Sequence, residues 1–172
     1  MRLAATLLVS AAILAAQGTP KNPIVETSKM VFGIAKNDIL KSADKIPDSL
    51  WSFQPTPDVR TIGQLFAHIA DGQYEFCSAA AEDKMAPKDI EKTAKTKTEI
   101  VAALKTAFAY CDSAYAKMTD ANAGQLVDFF GRKAARVGIM DFNSAHTMEH
   151  YGNLVTYMRI KKIVPPSSEK QQ

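Results

Sequence analysis

A chain of 172 residues with 47% hydrophobic and 23% charged side chains is long enough for one domain with a real core. A second domain does not fit. Its formal charge of +3 is near neutral, and the lysines from Lys84 to Lys97 alternate with Asp83, Asp89 and Glu91, a solvated pattern that excludes a nucleic-acid track.

In chain order, Met1-Arg2, the apolar run Leu3 to Ala16 and the polar end Gln17-Gly18-Thr19-Pro20 have the layout of a secretory signal peptide. A leader over residues 1–18 and a mature domain over residues 19–172 are expected, with a secreted or periplasmic location. Cleavage falls after Ala16 or Gly18, an uncleaved anchor being the alternative. No cysteine lies near that boundary, which argues against a lipid anchor, and about 20 apolar residues would be needed to cross a bilayer. No stable membrane association is expected after cleavage. Loss of Arg2 with the leader takes the formal charge from +3 to +2.

Asn22-Pro23 supplies an N-cap and a proline for the first turn, and Val31, Ala35, Ile39, Ala43 and Ile46 form the stripe of a first helix that Pro47 stops. Ser49 to Pro57 is a connector, fixed by Trp51 and by Pro55-Thr56-Pro57. Thr61 and Gln64 form a capping-box pattern, and Ile62, Leu65, Phe66, Ile69, Phe76 and Ala80 are the buried face of a second helix. Asp83 to Lys95 reads as a long crossover. The box recurs at Thr96 and Glu99, ahead of the third stripe, Val101, Leu104, Phe108, Cys111, Tyr115 and Met118. Thr119 to Arg136 is a second connector, in which Leu126 to Phe130 is apolar enough to pack and Gly131 permits a turn. The final helix runs from about Ala134 to Lys162 and is ended by Pro165-Pro166.

Four amphipathic helices without a convincing strand make an all-α four-helix bundle, a fold that builds metal sites from side chains facing its axis. Cys77 and Cys111 are open to two readings, a bridge or two small core hydrophobes. If the second and third helices run parallel the two stand level. An antiparallel pair would separate them by roughly 13 Å at 1.5 Å per residue, beyond the reach of a disulfide.

His146 and His150 are four residues apart on the inward stripe Ile139, Asn143, His146, His150, Leu154 and Tyr157, so both rings can meet one cation. His68, on the second helix, completes the set of three histidines. Shared metal ligation by His68, His146 and His150 therefore explains all of them. Asp71, with Glu75 and Glu149 as lesser choices, is the candidate to orient a ligand or move a proton. Asn143, an amide on the inward stripe, is the candidate pocket residue. Gly72 leaves room beside the His68 ring. The string His146-x-x-Glu149-His150 also fits an inverted zinc-protease motif, but 22 residues remain after His150 and offer no obvious further ligand.

The segment WSFQPTPDVRTIGQLFAHIAD together with HTMEHYGNLVTYMRIKKIVPPSS resembles the DinB-like (damage-inducible) superfamily of candidate metalloenzymes, over essentially the whole mature chain. The resemblance maps that family's metal triad onto His68, His146 and His150. It also implies an up-down-down-up topology with parallel second and third helices, which agrees with the long crossover. Some relatives are thiol-S-transferases and others thiol-dependent isomerases; the family name implies no DNA chemistry.

Three neutral imidazoles leave a divalent ion its charge and an open position, where a bound water has its pKa lowered to about 7 and a thiol is deprotonated. The ion expected is Zn²⁺ or Ni²⁺. The leading reading is an exported metal-dependent enzyme, hydrolase or thiol-S-transferase in type, acting on a small molecule, a thiol among the choices. The alternative is a non-catalytic bundle in which the metal is structural or cargo. Docking of a partner protein or membrane ranks last for want of a further exposed apolar face, and a homodimer is left open.

Overall fold

The structure, a computed structural model, describes residues 21–84 and 88–169. The leader expected over residues 1–18 lies outside the described residues. Four long helices, α1 (Pro23–Lys45), α2 (Ile62–Ala81), α4 (Lys97–Ala116) and α6 (Arg136–Ile160), build the bundle. Two one-turn helices, α3 (Ile90–Thr93) and α5 (Asp120–Ala123), and a hairpin of β1 (Leu126–Phe129) and β2 (Arg132–Ala135) sit in the connections.

Both expected capping boxes form. Thr61 accepts the amide of Gln64 while the Gln64 side chain accepts the amide of Thr61, and Thr96 and Glu99 repeat the exchange at α4. These reciprocal bonds satisfy amide groups that the first turn of a helix leaves unpaired. At α1 the cap comes from elsewhere: the carboxylate of Asp120 accepts the amides of Ile24 and Val25 at 3.1 and 3.0 Å, and Asn22 returns an oxygen to the Asp120 amide. The start of α1 is thus tied to α5, about a hundred residues away.

Contacts fix the helix directions. Tyr74 packs against Tyr110 and Cys77 is bonded to Cys111, so residue numbers rise together along α2 and α4 and the pair is parallel. Phe32 meets Phe108 while Ser28 meets Tyr115, so α1 and α4 are antiparallel. The result is the expected up-down-down-up bundle. Its parallel pair brings the Cα atoms of Cys77 and Cys111 to 5.4 Å, and the two form a disulfide.

The core is aliphatic and aromatic, with Phe32, Phe66, Phe108, Ile39, Leu104, Ile139 and Leu154 fully buried. The connector after α1 is held by Trp51, which stacks on Phe66 at 5.0 Å and whose carbonyl accepts the amide of Gly63 at 2.8 Å. A Cβ at position 63 would lie 3.2 Å from that carbonyl, a tight approach that glycine avoids.

Three expectations are corrected. Val31 is exposed, because α1 buries the stripe through Val25, Ser28, Phe32, Ala35 and Ile39 instead. Val31 joins Ile24, Met30 and Ile34 in an exposed apolar strip along α1, so a further apolar face does exist. The second connector is not plain coil. Phe129 pairs with Arg132 across a two-residue turn, and Phe130 and Gly131 both have positive φ, 49° and 74°, as a type I′ hairpin turn requires. The hairpin holds residues 126–135 and delays the start of α6 to Arg136.

Candidate metal centre

The antiparallel α2 and α6 share a layer of polar side chains. On its inner side Asn143 donates to Gln73 Oε1 at 2.8 Å, Gln73 donates to Thr147 Oγ1 at 2.9 Å, and Thr147 donates back to the Asn143 carbonyl at 2.8 Å. All three residues are fully buried. Asn143, read from the sequence as a pocket residue, lies in this network against the disulfide, its amide nitrogen 3.5 and 3.6 Å from the two sulfurs. It makes no bond to the histidines.

On the outer side of the same layer the three histidines converge. His146 Nε2 lies 3.2 Å from His68 Nε2 and 3.1 Å from His150 Nε2, and one ligand atom of each ring falls within 4.8 Å of the others. Such separations are what a shared ion demands: ligands 2.0–2.1 Å from a tetrahedral centre stand about 3.3–3.4 Å apart. As hydrogen bonds alone the arrangement is poor, because two rings compete for the single Nε2 of His146, while its Nδ1 is buried with no partner. The residues present therefore fit a divalent ion. No aspartate, glutamate or cysteine joins the three among the described residues.

The electrostatics keep the rings available as ligands. Burial pushes the His146 ring down from 6.5 to about 4, with His150, His68 and Arg60 adding to the shift. Burial also lowers His150, helped by His68 and Arg60 and opposed by Glu149 and Glu91. At neutral pH both are uncharged, the form that donates a lone pair to a metal.

Each ring is held by local chemistry. Gly72 lies under His146: a Cβ there would fall 2.9 Å from its Cε1 and 3.1 Å from its Nδ1, so the absent side chain makes room for His146 rather than for His68. Phe76 packs edge-on against the same ring, centroids 5.1 Å apart. His150 Nδ1 lies 3.5 Å from the side-chain amide of Asn153.

His68 Nδ1 meets Glu91 Oε2 at 3.2 Å, and the other oxygen of Glu91 takes Arg60 Nε at 2.9 Å. A carboxylate on Nδ1 fixes the tautomer that leaves Nε2 free to ligate. Asp71 stands one step further back, its two oxygens accepting the amides of Ile90 and Glu91 at 2.8 and 2.9 Å. It acts on His68 through Glu91 and the turn of α3. Glu75 and Glu149 are exposed and bond to none of the three rings. Glu91 and Arg60 were missed in the sequence, where Glu91 is one more charge in an alternating run. A hint was present in Ile90, a large apolar residue set among charges in the crossover, which anchors α3 to the core.

A family model described as the DinB superfamily matches residues 32–154. Among solved structures, a DinB-like protein from Bacillus cereus superposes with a TM-score of 0.71 at 19% identity, covering 82% of this chain and 95% of that one. A DinB-like protein from Bacillus subtilis gives 0.66 at 22% identity, over 87% and 100% of the two chains. A mycothiol-dependent maleylpyruvate isomerase gives 0.62 at 12% identity, over 76% and 60%. These likenesses establish a common fold. No curated protein matches the chain significantly.

Proposed function

Because the chain belongs to the DinB superfamily, we propose that it is a metal-dependent enzyme acting on a small molecule, with one divalent ion, Zn²⁺ or Ni²⁺, held by His68, His146 and His150. The observation that carries this reading is the convergence of three Nε2 atoms without a fourth protein ligand among the described residues. A closed, structural site would use four. An ion held this way supplies a nucleophile near neutral pH, from water or from a thiol. This chain's residues do the rest. His146 and His150 are kept neutral by burial, Glu91 sets the His68 tautomer, and Asp71 and Arg60 hold Glu91.

An exported protein fits two observations, the leader pattern over residues 1–18 and the Cys77–Cys111 bridge, since disulfides persist in oxidising compartments. No helix among the described residues is long and apolar enough to cross a membrane. A thiol-S-transferase reading draws on the mycothiol-dependent isomerase that shares the fold. Metal analysis of the purified mature protein tests the proposal: about one divalent ion per chain is expected. The loaded protein is then assayed on ester and thiol-transfer panels. Turnover lost on chelation and restored by metal supports the enzyme. Strong destabilisation on chelation with no turnover overturns it in favour of a structural ion.

A further inference from the structure

Phe76, Phe129, Phe130 and Phe142 form one aromatic cluster at the hairpin end of the histidines. Phe76 contacts His146, with Phe142 at 5.2 Å and Phe130 at 6.3 Å between centroids, and Phe129 closes the group at 5.5 Å from Phe142 and 4.5 Å from Phe130. Phe76 is buried, yet Phe130 is 66% and Phe142 47% exposed.

Two independent features show that packing alone does not explain this cluster. Phe130 holds the first central position of the hairpin turn at φ 49°, a conformation that asparagine or glycine adopts at lower cost and that strains a bulky side chain. A residue strained in its backbone and left mostly in water contributes little to the fold. The cluster is also continuous with the metal centre. Phe142 lies one helical turn before His146 on α6, and Phe76 touches the His146 ring directly. On the opposite side of the histidines stands the charged pair Arg60 and Glu91. The centre thus has an apolar flank and a polar one.

We propose that Phe130 and Phe142, backed by Phe76, receive the aryl or comparably flat apolar group of a small molecule whose polar end ligates the ion. This rests on the metal reading above. It commits the site to substrates that pair a metal-binding group with an aromatic ring, and disfavours purely polar ones.

The probes are benzohydroxamate and acetohydroxamate, which chelate through the same two oxygens and differ in carrying a phenyl or a methyl group. Calorimetry is run on Zn²⁺-loaded protein whose metal content is measured in the same sample. Benzohydroxamate is expected to bind at least about tenfold tighter. In Phe130→Asn, which suits the turn better, combined with Phe142→Ala, the preference falls below about threefold while acetohydroxamate affinity is unchanged. Equal affinities in the unaltered protein, or a preference that survives both substitutions, overturn the proposal and leave the metal reading standing. A chain that holds no metal overturns both. If the double variant converts a dimer to a monomer in sedimentation with the preference intact, the cluster is an interface between copies and the proposal is wrong.

Discussion

Two polar layers lie one helical turn apart on the same α2–α6 contact and have opposite characters. In the inner one, Gln73, Asn143 and Thr147 are joined by neutral hydrogen bonds with distinct donors and acceptors, which leave Asn143 Oδ1 as the one buried side-chain atom of the three without a partner. In the outer one, three imidazoles turn the same atom toward each other and cannot all be satisfied by protons. A buried polar group that has its partners specifies the register of the helices. The outer layer differs in that its competing atoms are three potential metal ligands converging on one point, and that difference supports the metal reading.

The sharpest break in this contrast is His150→Ala, expected to remove stoichiometric metal altogether while the circular dichroism of the bundle stays helical. Metal retained near one ion per chain would show that the three rings are not its ligand set. Asn143→Ala should do the reverse. It leaves Gln73 Oε1 without its buried donor, which costs about 2–3 kcal/mol in urea unfolding, and the metal content is unchanged. Glu91→Gln tests the link between histidine and crossover: metal affinity, measured by chelator competition, should fall roughly tenfold, or about 1.4 kcal/mol, with folding stability nearly constant.

The smallest effect is in pH. Without metal, His146 binds its proton near pH 4 in the folded protein and near 6.5 when unfolded. Between those values the unfolded chain therefore holds more protons, so stability of the metal-free protein falls as pH drops from about 6.5 to about 4 and levels off below. Urea midpoints across that window check the sign, and His146→Gln should flatten the slope.

Much of this was legible in the sequence for a physical reason. The stripes of α2, α4 and α6, the two capping boxes and the four-residue spacing of His146 and His150 are local, periodic signals that the structure repeats, with Val101 only partly buried, whereas the stripe of α1 is shifted. The parallel course of α2 and α4 was implied by the family resemblance, in agreement with the crossover length; it made the Cys77–Cys111 bridge feasible, and whether the bridge forms was open until the structure showed it. What failed to show was non-local or too short to be periodic. Glu91 reaches His68 across a crossover with no register of its own, and Asp120 caps a helix that starts 97 positions earlier, at Pro23. The hairpin has four-residue strands, so Leu126 to Phe130 looked like packing coil and its turn carries Phe-Gly where Asn-Gly would have announced it. The helical wheel sets Asp71 on the same side as His68, but its carboxylate is used up by two backbone amides.

Because α2 and α4 point the same way, the chain must travel back along the whole of α2, about 30 Å for 20 residues, before it can start α4. The described part of that return leg, residues 88–96, passes beside His68 and carries Glu91 with it. A bundle with alternating directions would join the same helices by a tight turn at one end and would leave this flank bare. The wall of the three histidines on that side is thus a by-product of topology, and loop changes there would retune any ion they hold while the packed interior stays untouched.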